Sequence, residues 1–287
     1  MTLLSPIENG SAHQSGARLS RRPLGFALAL LLALPLGAPA RAFADVRGTD
    51  EILGASVEAR GLPAVACPNV TATFALVMDD EGTVLFSRGA LERSHIASIT
   101  KIMTAIVALD SGVPLDSTVT VSQEAASVGE SSASLWAGDT LTLEAALAGL
   151  MIPSGNDAAI AIAETLGEGM KTDDSQTANE AFVAAMNAKA AELGMTETLF
   201  SNPHGLDIGA YDNEMYSCAR DVALMSAYAM GNETFRSIVS KESAQITVTR
   251  ADGKPQVIDL QSTDRLLGTY EGACGIKTGY TEAAGNS

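Results

Sequence analysis

Apolar residues at Ile102, Ala105, Ile106 and Leu109 recur with a helical period. Ile99 and Val107 widen the apolar surface, so residues 97–109 predict a helix enclosed by core. Upstream, Thr71–Met78 reads as a buried-type strand, Asp79-Asp80-Glu81-Gly82 as a turn and Thr83–Ser87 as the returning strand. Residues 111–140 read as loops and short strands, punctuated by Gly112, Pro114, Gly129 and Gly138. Further helices are predicted from Thr140 through Met151 with a stop at Pro153, over Asp157–Leu166, over Thr177–Leu193 and over Arg220–Met230. Ser201–Asp207 carries strong turn signals. Gln245–Thr249 and Gln256–Leu260 alternate like a second hairpin across Asp252-Gly253-Lys254, and Gly275–Tyr280 is strand-like. Strands flanking a run of helices predict an α/β (α+β) fold: an antiparallel sheet packed by helices, with an all-helical lobe in mid-chain.

Composition sharpens this picture. The 287 residues, 46% of them hydrophobic, suffice for one domain with a sizeable core. A net charge of −16 argues against a nucleic-acid partner. Residues 1–44 read as an export signal: Arg18, Arg21 and Arg22 precede the apolar run Leu24–Leu36, and Ala42-Phe43-Ala44 offers a small-x-small cleavage site before Asp45. Residues 45–65 form a polar and amphipathic lead-in, and 66–287 the single main domain. Export permits disulfides, yet Cys67, Cys218 and Cys274 are an odd number without metal-ligand spacing, and only His13, His95 and His204 accompany them. No metal site is expected; Cys218 and Cys274 are expected as small core residues and His95 as packed or solvated.

The candidate chemistry starts on the first helix. Ser98 and Lys101, at i and i+3, share one face. A serine hydroxyl needs a base to take its proton, and a desolvated lysine can be that base. Alone, the pair also fits a helix cap and a solvated lysine. It is not alone: Ser154-x-Asn156 and Lys277-Thr278-Gly279 follow in order. The three patterns resemble the signature motifs of penicillin-recognising serine acyl enzymes. The longer runs His95–Thr104, Ser154–Ala159, Asn202–Leu206 and Gly275–Thr281 are similar to the low-molecular-mass D-alanyl-D-alanine carboxypeptidases over residues 70–285.

This resemblance implies a penicillin-binding-protein/β-lactamase-like transpeptidase fold and a serine-type carboxypeptidase that trims the terminal D-alanine from peptidoglycan stem pentapeptides in cell-wall maturation. It implies Ser98 as nucleophile, Lys101 as base, Ser154 as proton relay and Asn156 as the residue holding Lys101 and the substrate amide. Lys277 would supply positive charge, Thr278 would bind the substrate carboxylate, and Gly279 would let substrate lie along the strand edge. The N–H groups of Ser98 and Tyr280 would form the oxyanion hole. The implied partners are the stem peptide and β-lactams as covalent inhibitors, with no cofactor. His204 belongs to a structural loop in that family, and no Gly-x-Ser-x-Gly elbow accompanies it here.

Two departures stand out: Ile96 where the family usually has Pro, and Cys218 where Thr or Ser is commoner. The family also continues past Lys-Thr-Gly with two strands that fill the middle of the sheet. The sequence stops at Ser287, so it reads as an incomplete record whose Lys277 strand lacks neighbours to hold it against Ser98. Any membrane anchor would lie in that unseen C-terminus. The competing functions are a β-lactamase, for which Glu164 and Glu192 are the nearby carboxylates but lack a Glu-x-x-x-Asn context, and an inert penicillin- or peptidoglycan-binding module.

Overall fold

The computed structural model describes residues 45–211 and 214–287. The export signal read over 1–44 lies outside them. The first element of consequence is the helix predicted over 97–109. It is built in two parts, a tight 3-10 turn at Ala97–Thr100 and the helix α2 at Lys101–Asp110. Every residue of α2 from Lys101 to Ala108 is buried. The anticipated all-round apolar surface is explained by its neighbours, for α2 packs against four further helices: α4 (Leu143–Met151), α5 (Asn156–Gly167), α6 (Ala178–Glu192) and α7 (Ala219–Met230).

Local chemistry fixes where these helices begin. Thr142 caps α4 by accepting from Ala145 N, and Thr177 with Glu180 forms a reciprocal capping box at α6. The Thr140–Thr142 run, expected as the opening of α4, is instead the strand β6. Its Thr-Leu-Thr alternation with branched side chains suits a half-buried strand, and a ladder is available on both sides. β5 (Thr118–Thr120) pairs with one edge and β7 (Ser243–Thr249) touches the other, with β8 (Pro255–Gln261) completing the antiparallel order β5-β6-β7-β8. The predicted second hairpin is therefore half of a four-stranded sheet. Two short helices, α3 (Gln123–Ser127) and α8 (Glu233–Val239), complete this region.

A second antiparallel sheet has the order β2-β1-β4-β3. Its hairpin is the one predicted, β3 (Ala75–Met78) with β4 (Val84–Arg88). The lead-in supplies the other two strands, β1 (Glu51–Ile52) and β2 (Ala55–Ser56), followed by the single turn α1 (Val57–Arg60). A buried two-pronged pair holds it there: Arg88 Nε and Nη2 lie 2.7 and 2.6 Å from the two oxygens of Asp50. Arg88 holds the Asp50 carboxyl below its usual range.

Two expectations need correction. Gly275–Tyr280 is not a continuous strand: only β9 (Tyr280–Thr281) forms a ladder, with β10 (Gly285–Asn286). A strand exists through its partners, and among the described residues no strand pairs with 275–278. Cys218 is buried as expected, but Cys274 is exposed. It sits in the irregular connection between β8 and β9, which runs over the surface where no layer covers it. No helix of the described residues is long and apolar enough to cross a membrane.

Candidate active site

The turn that carries Ser98 is shaped by its neighbours. Ala97 adopts φ +46°, a left-handed conformation that costs a non-glycine residue about 1–3 kcal/mol. The loop 202–207 presses against it. Gly205 has φ +92°, and a Cβ built there would stand 1.9 Å from the Ala97 carbonyl oxygen. Only glycine fits that approach. The loop holds its own shape through Asn202, whose side chain accepts from His204 N and Gly205 N and donates to Leu206 O.

Lys101 is wholly buried, and its Nζ lies 2.9 Å from Ser98 Oγ and 2.7 Å from the His204 carbonyl oxygen. Desolvation holds its pKa well below the ordinary lysine value, and the charge of Lys277 adds to the effect. Burial therefore favours the uncharged amine, the form with a lone pair for the hydroxyl proton, against the opposing charge of Asp157. His204 meets Lys101 through its backbone, not its ring. The ring is buried, with Nδ1 accepting from Leu206 N, and burial pushes its pKa down to about 3.

The second wall is the turn between α4 and α5. Ser154 adopts φ +67°, and Gly155 follows at a close approach: a Cβ there would lie 2.6 Å from Asp157 Oδ1 and 2.7 Å from Gly149 O. Asp157, buried at the start of α5, accepts from Ser132 Oγ, Ala133 N, Leu135 N and Ala158 N. It thereby ties the 131–135 loop to the helix. Asn156 donates to Gly129 O at 3.0 Å. Two buried polar atoms of this wall, Ser154 Oγ and Asn156 Oδ1, have no partner within the protein. Both residues line the same cleft, so two polar atoms there await a hydrogen-bond partner.

The third wall is the segment leading into β9. Contrary to the expectation that it would lack support, it lies against the Ser98 turn: a Cβ on Gly279 would stand 3.0 Å from Ile96 O and 3.2 Å from Ser98 N. Gly279 and Ser287 exchange both backbone hydrogen bonds. In an antiparallel ladder the next pair, Tyr280 with Asn286, exchanges none, which leaves Tyr280 N–H turned away from its partner strand. Thr278 Oγ1 shares a 2.7 Å hydrogen bond with Thr263 Oγ1. Lys277 donates to the Thr278 carbonyl, and desolvation pushes its pKa down to about 7, opposed by Asp264.

These walls enclose a cleft of about 950 Å³ lined by Ser98, Ser154, Asn156, Thr278, Gly279 and Tyr280. Lys101 lies beneath Ser98, and Lys277 acts on Lys101 through its charge. All eight residues singled out in the sequence thus belong to one region. The cleft is also lined by Glu130, Ser131 and the stretch Thr263–Leu266. Nothing in the sequence singled these out, because their positions follow from the ends of β8 and α3 rather than from a local pattern. His95, expected to be packed or solvated, is partly exposed with Nδ1 3.3 Å from Asp207 Oδ2.

Comparison with known proteins gives this geometry a context. The peptidase S11 family model, D-alanyl-D-alanine carboxypeptidase, matches residues 62–287. A D-alanyl-D-alanine carboxypeptidase of Streptomyces sp. strain K15 is 36% identical over 249 residues, 83% of this chain and 82% of that protein. The Bacillus subtilis strain 168 carboxypeptidase DacF is 36% identical over 213 residues, and the match spans 73% of this chain but only 50% of that longer protein. The crystal structure of the Streptomyces K15 DD-transpeptidase superposes with a TM-score of 0.68 at 33% identity, covering 76% of this chain and 84% of that one.

Proposed function

The chain belongs to the D-alanyl-D-alanine carboxypeptidase family, and from that premise we propose that it hydrolyses the bond between the two terminal D-alanines of a peptidoglycan stem peptide through an acyl-enzyme on Ser98. The observation that carries this reading is the contact between a hydroxyl and a buried amine whose charged form desolvation disfavours, Ser98 Oγ to Lys101 Nζ at 2.9 Å.

The reaction follows from the three walls. Lys101 takes the hydroxyl proton as Ser98 Oγ attacks the penultimate carbonyl carbon. The negative charge that develops on the carbonyl oxygen meets the N–H groups of Ser98 and Tyr280, each such donor being worth about 3–4 kcal/mol in a transition state. Ser154 Oγ, unmatched within the protein, relays to the departing D-alanine nitrogen the proton that Lys101 took from Ser98, giving up its own and receiving that one in its place. Asn156 Oδ1, also unmatched, accepts from the substrate amide. Lys277 and Thr278 receive the terminal carboxylate. Water then cleaves the ester and restores Ser98. No step calls on a cofactor, and this activity would serve cell-wall maturation.

Glu164 accepts from Ser122 Oγ, and Glu192 pairs with Lys189. Neither lines the cleft. The carboxylates that do line it, Glu130, Asp264 and Glu282, come from other positions; penicillin turnover within seconds would favour the β-lactamase reading, and a long-lived adduct would weaken it. Labelling with fluorescent penicillin tests the nucleophile: wild type is expected to be marked and Ser98→Ala not. Incubation with a pentapeptide ending in two D-alanines tests the activity, and an intact, labelled protein that releases no D-alanine would point to a binding module. The N-terminal basic and apolar pattern supports action outside the cytoplasm.

A further inference from the structure

Asp207 does not line the cleft, yet it stands between the two halves of the site. Its side chain is wholly inaccessible. Oδ2 accepts from Thr281 Oγ1 at 2.8 Å, and that hydroxyl in turn accepts from Ala284 N at 3.0 Å inside the β9–β10 turn. His95 Nδ1, three residues before Ser98, is 3.3 Å from the same carboxyl oxygen. Asp207 ends the loop whose Pro203 and His204 carbonyls receive Thr104 Oγ1 and Lys101 Nζ from α2. One short loop therefore grips the base at one end and the hairpin carrying Gly279 and Tyr280 at the other.

We infer that Asp207 is a positioning residue for acylation: through Thr281 it sets the distance between the Tyr280 N–H and the Ser98 turn. Burial explains why this bond is a suitable ruler. A hydrogen bond to a buried carboxyl group does not exchange with water, so it holds one geometry. Other ties near the hairpin are the ladder between its own strands, the packing of Gly279 on Ile96–Ser98, and the Thr278–Thr263 hydrogen bond, which anchors the approach to β9 on the 263–266 stretch rather than on the Ser98 turn. The ladder shapes the hairpin without locating it. The glycine contact sets a closest approach but no upper limit, whereas Thr281–Asp207 supplies one.

The inference rests on the proposed acylation of Ser98. The full chain is reacted with fluorescent penicillin, and both the acylation rate and the final label per chain are followed. Thr281→Val removes the hydroxyl at nearly constant volume. Its acylation rate is expected to fall about tenfold to a hundredfold, the scale of a reacting group displaced by about 1 Å. The final label should stay at the wild-type level, whereas a merely structural defect would lower the amount labelled. Thr281→Ser, which keeps the hydroxyl, is expected to restore most of the rate. Asp207→Ala should slow acylation to the same degree as Thr281→Val, and the double variant should lose no more than either alone. A Thr281→Val protein that acylates at the wild-type rate overturns the proposal, as does a Thr281→Ser protein as slow as the valine variant. If the valine variant does not fold, Asp207→Asn decides: it retains an oxygen acceptor for Thr281, so a retained rate supports the bond and a lost rate in a folded protein overturns it. Wild type left unlabelled would instead sink the acylation reading itself.

Discussion

Lys101 and Lys277 divide the pH dependence between them. In the proposed acylation Lys101 is the base and Lys277 the cation, so the rate should rise with pH as Lys101 loses its proton, which burial shifts well below the ordinary lysine value. Lys277 acts as a cation, so the rate should fall again as pH climbs through about 7. The expected profile is a bell whose limbs belong to the coupled pair. Measuring penicillin acylation across pH in wild type and Lys277→Arg checks it. Arginine stays charged throughout, so the descending limb should vanish in the variant. A limb near 7 that survives the substitution would exclude Lys277 as its source. Single residues were the most legible scale in the sequence, because Ser98, Lys101, Ser154, Asn156 and Lys277 carry chemistry in their side chains. What spacing did not show is backbone strain. Ala97 and Ser154 both take left-handed φ angles that neither residue type favours, so only their surroundings determine them.

At the scale of elements, the loop 202–207 and the turn before α2 are one interlocked unit. Gly205→Ala would force a methyl group into the Ala97 carbonyl at a φ that disfavours any side chain. We expect a loss of about 3 kcal/mol or more, combining overpacking with the left-handed penalty, read as a shift in denaturant midpoint at constant slope. Gly194→Ala, also at positive φ but with open space around it, should lose less. The helices were legible because their caps and apolar periods agree: Thr177 and Glu180 mark the start of α6, and Pro153 marks the end of α4. Short strands were harder. Thr140–Thr142 is three residues long, and its identity depends on β5 and β7, one of them more than 100 residues away in sequence. Tyr280–Thr281 is shorter still, and its extent is set by where β10 begins.

On the scale of the whole molecule, the lead-in is part of the sheet. Arg88 reaches the backbone oxygens of Asp45, Val70 and Ala72 as well as the Asp50 carboxylate. Asp45, next to the proposed cleavage site after Ala44, is thus tied into the sheet. N-terminal sequencing of protein recovered from outside the cytoplasm is expected to begin at Asp45. A product that starts at Met1, or beyond the Asp50 clasp, would refute that boundary. The gathering of the three walls was legible only through resemblance, since Ser98, Ser154 and Lys277 are far apart in the chain and no local rule joins them. The burial of Lys101 has a wider consequence. A lysine in water keeps its proton up to a pH of about 10.4, so in an unfolded chain Ser98 is an ordinary alcohol beside an ammonium ion. The reactive pair is created by tertiary structure and abolished with it. On the proposed mechanism, a nascent chain or a fragment carrying Ser98 and Lys101 alone lacks the burial that readies Lys101 as a base, so its Ser98 stays unreactive until folding is complete.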